Sequence, residues 1–365
     1  MFLSLIKLNN FRNYKELYLE IPKEGALFTG LNGSGKTNLL EAIFFICAAR
    51  SYRGAKRAEL INVSSDFAFI EGIFFKNGNN SPTQISIGFS RDKKISMKIN
   101  NRAVLSFSQL IGNGIAISFM PEDINLVLGA PAERRTLLDI FISQIDPLYL
   151  DALIMYKKNL DQRNYLLQNN ISNEMMCVYE ENMAEYGAKI FCKRKIICAE
   201  MAPFFSDFYS YISNNSEAVR MEYFPSFGNN DIKEKDWKQG FLDSLIKSRS
   251  KDLSYGFTSF GPHRDDIKFF INNNNAKDFA SMGQCCSISI SLKMSLVFLG
   301  EKYKNEKMIF LFDDATGYLD EERASKVFPK LVDKGQIFVT APYDRGFNLT
   351  SLPHFIIKEG RIIKK

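Results

Sequence analysis

Metal-ligand chemistry has little to work with in this chain. Two histidines, His263 and His354, stand among 365 residues, and the six cysteines (Cys47, Cys177, Cys192, Cys198, Cys285, Cys286) make no CxxC pair and no metal-ligand spacing. This argues against a structural zinc site and a disulfide framework, and leaves reduced, mostly buried thiols. Long apolar runs are missing too. The opening run ends at Ile6, with Lys7 and Arg12 behind it, too short for a signal core or a membrane span. A cytoplasmic location with no membrane partner is therefore expected. Low-complexity tracts and solenoid-spaced repeats do not occur, so long disordered stretches are not expected. Charge is nearly balanced, 47 Lys and Arg against 41 Asp and Glu, and the net +6 permits nucleic-acid binding without establishing it.

What is present begins with length: 365 residues exceed one simple core, so two globular parts or one domain with a large insertion are expected. Residues 1–29 read as three strands, LSLIKLNNF, KELYLEI and Ala26–Thr29, the last running straight into a glycine loop. Beyond the loop, Asn38–Ala49 has no breaker and is apolar nearly all round, as a buried helix would be. Alternating pieces between about 67 and 105, with turns over 76–82 and at Asn100-Asn101, predict an antiparallel sheet. Helical periodicity fills about 121–250. Near the C-terminus MIFLFDD and QIFVTAP are continuous apolar runs, fit for strands buried on both faces of a mostly parallel sheet, with ASKVFPKLV a short helix between them. The N- and C-terminal thirds should therefore build one sheet.

Gly30-Leu31-Asn32-Gly33-Ser34-Gly35-Lys36-Thr37 matches the Walker A pattern completely, in the strand-to-helix setting the pattern requires. Its glycines let backbone N–H groups wrap phosphates, the helix N-terminus adds its positive end, Lys36 reaches the β- and γ-phosphates, and Thr37 ligates Mg²⁺. The bound cofactors implied are ATP and Mg²⁺. A second acid is needed for the metal, and the apolar strand from Met308 ends in Asp313-Asp314. Asp313 is expected to hold Mg²⁺ through water, and Asp314 to orient or deprotonate an attacking water. Ser281-Met282-Gly283-Gln284 follows the turn-forming Asn272–Asn275 and precedes a helical run, a phosphate-binding shape whose own chain already has a phosphate loop. Such a turn makes sense acting on another copy.

Walker A followed by Asn38, then SxGQ shortly before a Walker B strand, resembles the ABC-type ATPase head, and within it the RecF family of bacterial recombination and repair. Three further stretches carry the likeness: Arg12-Asn13-Tyr14, Phe119 to Gly129 continuing through Pro131, Arg134-Arg135 and Asp139, and Gly261 to Asp266. The resemblance implies an α/β head, a mixed sheet lobe with an antiparallel β subdomain over 1–120 and 251–365, and an inserted, mainly helical lobe over 121–250. It implies ATP-driven homodimerisation with Ser281, Gly283 and Gln284 capping the partner's nucleotide, and Gly317–Asp320 crossing the interface. Slow DNA-stimulated hydrolysis, action on single-stranded and gapped DNA, and work with RecO and RecR in loading RecA, in replication-linked repair and the SOS response, are implied likewise. Glu122, entering the helical lobe, is the candidate link between nucleotide state and lobe movement.

Two places depart from the family pattern. Cys285-Cys286 stand where Gln-Arg usually follows SxGQ, and Gly317-Tyr318-Leu319-Asp320 stands for Ser-Glu-Leu-Asp, which predicts weaker dimerisation and turnover. An ATP-dependent clamp without appreciable hydrolysis and the ATPase subunit of a membrane transporter are the alternatives. The inserted stretch is too short for the coiled coil of a long-armed chromosome-organising ATPase. Of the basic residues, the clusters Arg50–Arg57, Arg91–Arg102 and Lys189–Lys195 read first as solvated faces. His263 and Arg264 divide evenly between anchoring a turn and meeting a ligand, whereas Arg134-Arg135 reads as a salt-bridged helix start.

Overall fold

The structure, a computed structural model, describes residues 1–76, 81–169, 173–215, 217–227, 236–342 and 352–364; residues 77–80 of the expected turn over 76–82 lie outside them. The chain forms two compact units, one of Met1–Ile124 with Ser289–Lys365, the other of Asn125–Ile288.

The first unit opens with β1 (Phe2–Phe11) and β2 (Tyr14–Glu20), a hairpin turned at Arg12-Asn13 with Arg12 at φ 53°. β3 (Gly25–Thr29) leads through the glycine loop to α1 (Lys36–Ala48), then α2 (Arg57–Leu60). β4 (Phe67–Phe75), β5 (Thr83–Ser90), β6 (Ile95–Ile99) and β7 (Arg102–Ala103) follow, then α3 (Phe107–Leu110) and β8 (Ala116–Phe119). One antiparallel sheet runs β2-β1-β4-β5-β6-β7. β1 and β2 thus join the antiparallel sheet, so only part of the N-terminal third shares a sheet with the C-terminus.

The second unit carries α4 (Asn125–Leu128), α5 (Pro131–Ile145), α6 (Pro147–Gln168) and α7 (Asn173–Ile212). After β9 (Val219–Phe224) come α8 (Trp237–Tyr255), β10 (Asp266–Ile271), β11 (Asn274–Asn275) and α9 (Ala276–Phe279). α10 (Met282–Lys304) contains the division between the units. Residues 251–288, which the sequence places with the first lobe, pack in the second unit. β10 pairs with β9, Asp265 pairs with Arg194, and Asp266 takes Arg134 through two bonds of 2.7 and 3.1 Å. Burying such charges is tolerable only with partners, and these partners all lie in the second unit. Arg163, fully buried, is satisfied likewise by Glu180, Asp252 and Thr258.

The first unit resumes with β12 (Met308–Phe312), α11 (Ala315–Tyr318), α12 (Glu321–Val327), β13 (Gly335–Ala341), β14 (His354–Lys358) and β15 (Arg361–Lys364). These strands take β3 and β8 into a second sheet, β15-β14-β3-β13-β12-β8, parallel except for the closing hairpin. Every residue of β12 and β13 is buried, which is why both read as unbroken apolar runs. α1 packs against β4 and β5 of one sheet and β8 and β13 of the other, which accounts for its apolar circumference. By length and composition α10 could cross a membrane, but 72% of its most apolar window is buried within the fold.

Candidate functional site

The glycine loop leaves the C-terminal end of β3, the side of a parallel sheet where ligands collect. Gly30, Gly33 and Gly35 hold φ of 153°, 79° and 115°; a Cβ on Gly30 would lie 2.2 Å from the Ile357 carbonyl oxygen. Gly35 is the N-cap of α1, no side chain among the described residues caps the first turn and no acid sits in it, which leaves that turn open to a phosphate. Lys36 Nζ donates to the carbonyls of Gly30 and Leu31 at 2.7 and 3.0 Å, and burial lowers its pKa although Asp314 and Asp313 pull it upward.

From β12 the chain delivers Asp313, whose Oδ1 accepts from Thr37 Oγ1 at 2.9 Å. The same oxygen accepts from Thr340 Oγ1 at 2.9 Å, and Oδ2 accepts from the Tyr52 hydroxyl at 2.9 Å. Burial, then the neighbouring Asp313, raises Tyr52 well above its ordinary pKa, so it stays a donor. Asp314 adopts the left-handed conformation (φ 48°), its N–H donates to Thr340 Oγ1 at 2.8 Å, and its carboxylate leans over Gly317, 2.9 Å from where a Cβ would stand. Together Asn32, Gly33, Gly35, Lys36, Thr37, Asn38, Arg53, Asp313, Asp314, Thr340 and Pro342 line a cleft of about 410 Å³.

These residues fit ATP with Mg²⁺. Thr37 and Asp313 offer hard oxygen donors at one point, the first turn of α1 faces the loop uncapped, and Ser34 Oγ is buried with no hydrogen-bond partner among the described residues.

The β1–β2 turn braces the loop from outside the cleft. Asn13 Nδ2 donates to the Ser34 carbonyl at 3.2 Å, and the Tyr14 hydroxyl to the Gly35 carbonyl at 2.9 Å. Arg12 forks onto Glu41 at 2.8 and 3.0 Å, a carboxylate with no exposed surface that also accepts from Ser51 at 2.5 Å. Asn38 turns its amide to Asn13 Oδ1 at 2.8 Å. Glu122 is exposed and is not among the residues that line the cleft, and the next residue, Asp123, is buried against Lys293 of α10. Tyr52, Thr340, Arg53 and the bracing role of Asn13-Tyr14 escape sequence reasoning, since only the tertiary fold sets them beside the loop.

Ser281, Gly283 and Gln284 lie in the second unit and are not among the residues that line this cleft. Ser281 and Gly283 are exposed at the start of α10. Gln284 N–H donates to Ser281 Oγ at 3.2 Å while Ser281 N–H donates to Gln284 Oε1 at 2.7 Å, a capping box. Of the expected interface segment, Gly317 and Asp320 are exposed, but Tyr318 is 6% exposed with its hydroxyl 3.2 Å from Ser289 Oγ. Asp320 caps α12 by accepting from Arg323 N–H at 2.8 Å. His263 is an anchor: its two ring nitrogens meet the Tyr156 hydroxyl at 2.8 Å and the Thr258 carbonyl at 3.2 Å.

Residues 2–351 match the family model for the RecF/RecN/SMC N-terminal domain. A DNA replication and repair protein RecF of Bacillus cereus is 35% identical over 372 residues, covering 100% of this chain and 96% of that protein. A solved structure of the recombination mediator protein RecF-ATP in the RecFOR pathway superposes with a TM-score of 0.91 at 31% identity, covering 100% of this chain and 97% of that one. An Smc head domain from Pyrococcus furiosus, at TM-score 0.56, 15% identity and coverage of 100% and 96%, shares the ABC-type head fold. With the family model matched over residues 2–351 and likeness to RecF proteins along the whole chain, this protein belongs to the RecF family.

Proposed function

We propose that the chain binds ATP and Mg²⁺ in the cleft of its first unit and, so loaded, pairs with a second copy on DNA in recombinational repair. The observation that carries this reading is the convergence of Thr37 and Asp313, 2.9 Å apart, beneath an uncapped helix N-terminus, in a chain whose Ser281 turn stands complete and exposed. Bound Mg²⁺ would offset charge on the β- and γ-phosphates. Lys36 exchanges its loop carbonyls for phosphate oxygens, Thr37 and Asp313 hold the metal's side of the site, and Asp314 orients water for slow, DNA-stimulated hydrolysis. Ser281 and Gly283 close on the partner's γ-phosphate. Apolar side chains left in water beside both halves, Leu31 at 71% exposure, Phe279 at 74% and Met282 at 64%, favour cover by a second copy.

DNA, single-stranded or gapped, is held through phosphates, so binding is strongly salt-dependent and nearly blind to sequence. Glu122 links nucleotide state to movement of the second unit. RecO- and RecR-type mediators, RecA loading, replication and the SOS response, all in the cytoplasm, follow from kinship with proteins that act in DNA replication and repair and in the RecFOR pathway. A second reading, a clamp without appreciable turnover, is favoured by Cys285-Cys286 and by Tyr318 turning inward.

Light scattering in Mg²⁺ without nucleotide, with ADP and with a non-hydrolysable ATP analogue tests the proposal. Doubling of mass with the analogue alone, abolished in Lys36→Ala, is the expected result. ATP binding with no change of mass, with or without gapped DNA, would overturn it. Turnover with and without DNA then separates the slow ATPase from the clamp.

A further inference from the structure

The Ser281 turn does not stand on its capping box alone. Gln284 holds Ser281 with its Oε1, and its Nε2 donates in a short hydrogen bond to Glu217 Oε1. Glu217 Oε2 in turn accepts from the Tyr209 hydroxyl at 2.7 Å. Tyr209 is 1% exposed near the end of α7, so the carboxylate is tied to an element that cannot drift with the surface. Glu217 is tied along the chain as well. Neighbouring Ala218 exchanges hydrogen bonds with Asn272, at 3.1 Å through the Asn272 side chain and 2.9 Å through its backbone, just where β9 begins beside β10.

The consequence is geometric. Without an outer partner, the Gln284 amide is free to rotate about its last torsion, and Ser281 N–H loses its acceptor whenever it does. Pinned at both ends, the amide keeps its oxygen on Ser281 N–H, and the Ser281 hydroxyl oxygen is held in place by the Gln284 N–H it accepts from. We infer that Glu217 is a positioning residue for the Ser281 turn, fixing from within its own chain the hydroxyl offered to the partner's γ-phosphate. This rests on the dimer proposed above and adds to it a residue that acts on a nucleotide bound by another copy.

Glu217→Ala should lower ATP-driven dimerisation about tenfold, the size of effect typical for one charged hydrogen bond. Affinity for a fluorescent ATP analogue in the monomer should stay at the wild-type value. Glu217→Gln, which keeps an acceptor for Gln284 and a donor to the Tyr209 oxygen, should restore dimerisation. The deciding measurement is energy transfer between two labelled populations, one of them Lys36→Ala. Mixed with Glu217→Ala, it forms a pair with one intact composite site, the loop of the Glu217→Ala chain closed by the turn of the Lys36→Ala chain. The expected outcome is pairing as strong as between wild type and Lys36→Ala, although Glu217→Ala alone pairs poorly. The inference is overturned by a mixture that stays monomeric where wild type with Lys36→Ala pairs, or by Glu217→Ala dimerising as wild type. Failure of wild type itself to pair would instead remove the dimer on which the inference stands.

Discussion

Replacing His263 by glutamine removes a buried titrating group from the second unit and should change how that unit's stability responds to acid. The imidazole sits between Tyr156 and Thr258, and burial, reinforced by the cations of Arg264, Arg135 and Arg194 and opposed by the Thr258 carbonyl, lowers its pKa from 6.5 to about 4. The unfolded chain binds the proton near 6.5 and the folded chain only near 4, so between these values the unfolded state holds more protons and stability rises with pH. The contribution is whole above 6.5 and drains as pH falls toward 4. Near pH 5 the wild type has lost about 2 kcal/mol relative to pH 7.5, approaching a limit of about 3 kcal/mol. Trp237, the only tryptophan, is 2% exposed in the same unit and reports its unfolding by fluorescence. Urea titrations of wild type and His263→Gln at the two pH values should show the gap between them shrinking by about 1 M in midpoint on acidification, for a slope of about 2 kcal/mol per molar. Shared carboxylate titrations cancel in the difference. A gap constant across this window would refute the burial argument and return His263 to the candidates for ligand contact.

Lys36→Ala should weaken ATP binding by about 10- to 100-fold, the value of a charged hydrogen-bond donor, with unfolding temperature unchanged, as measured by titration of a fluorescent analogue. Asp313→Asn should erase most of the difference between ATP affinity in Mg²⁺ and in chelator, and Tyr52→Phe should narrow it by about three- to tenfold through loss of one hydrogen bond to that carboxylate. Arg12→Ala leaves Glu41 buried with its main cation gone and should destabilise the first unit by about 3–5 kcal/mol in calorimetry, a loss largely reversed in Arg12→Ala with Glu41→Leu.

The sequence makes the loop and its acid legible because each is local: Gly30 to Thr37 carries its own geometry, and β12 announces Asp313 by ending. Tyr52 and Thr340 are not legible, because they reach Asp313 across 261 and 27 residues and nothing near either in sequence marks a metal site. Arg12-Asn13-Tyr14 stands out by resemblance, but its work of holding the Ser34 and Gly35 carbonyls depends on a hairpin turn folding under α1. The reach of the second unit to Ile288 is hidden for the same reason, since Asp265 and Asp266 look like any acidic pair until Arg194 and Arg134 arrive from helices 71 and 132 residues away.

The strand that carries the phosphate loop is also the strand that waits longest. β3 is flanked by β13 and β14, with Thr29 beside Ala341 and Ile356, so neither neighbour exists when it leaves the ribosome. At about 5–20 residues per second, translation of the intervening stretch of about 330 residues takes on the order of 15–65 s. The second unit, one uninterrupted stretch from Asn125 to Ile288, can be complete within that interval. The sheet that carries the phosphate loop is therefore the last part of this chain to be completed in synthesis, and a message cut after Ile288 would leave β3 without either of its neighbours.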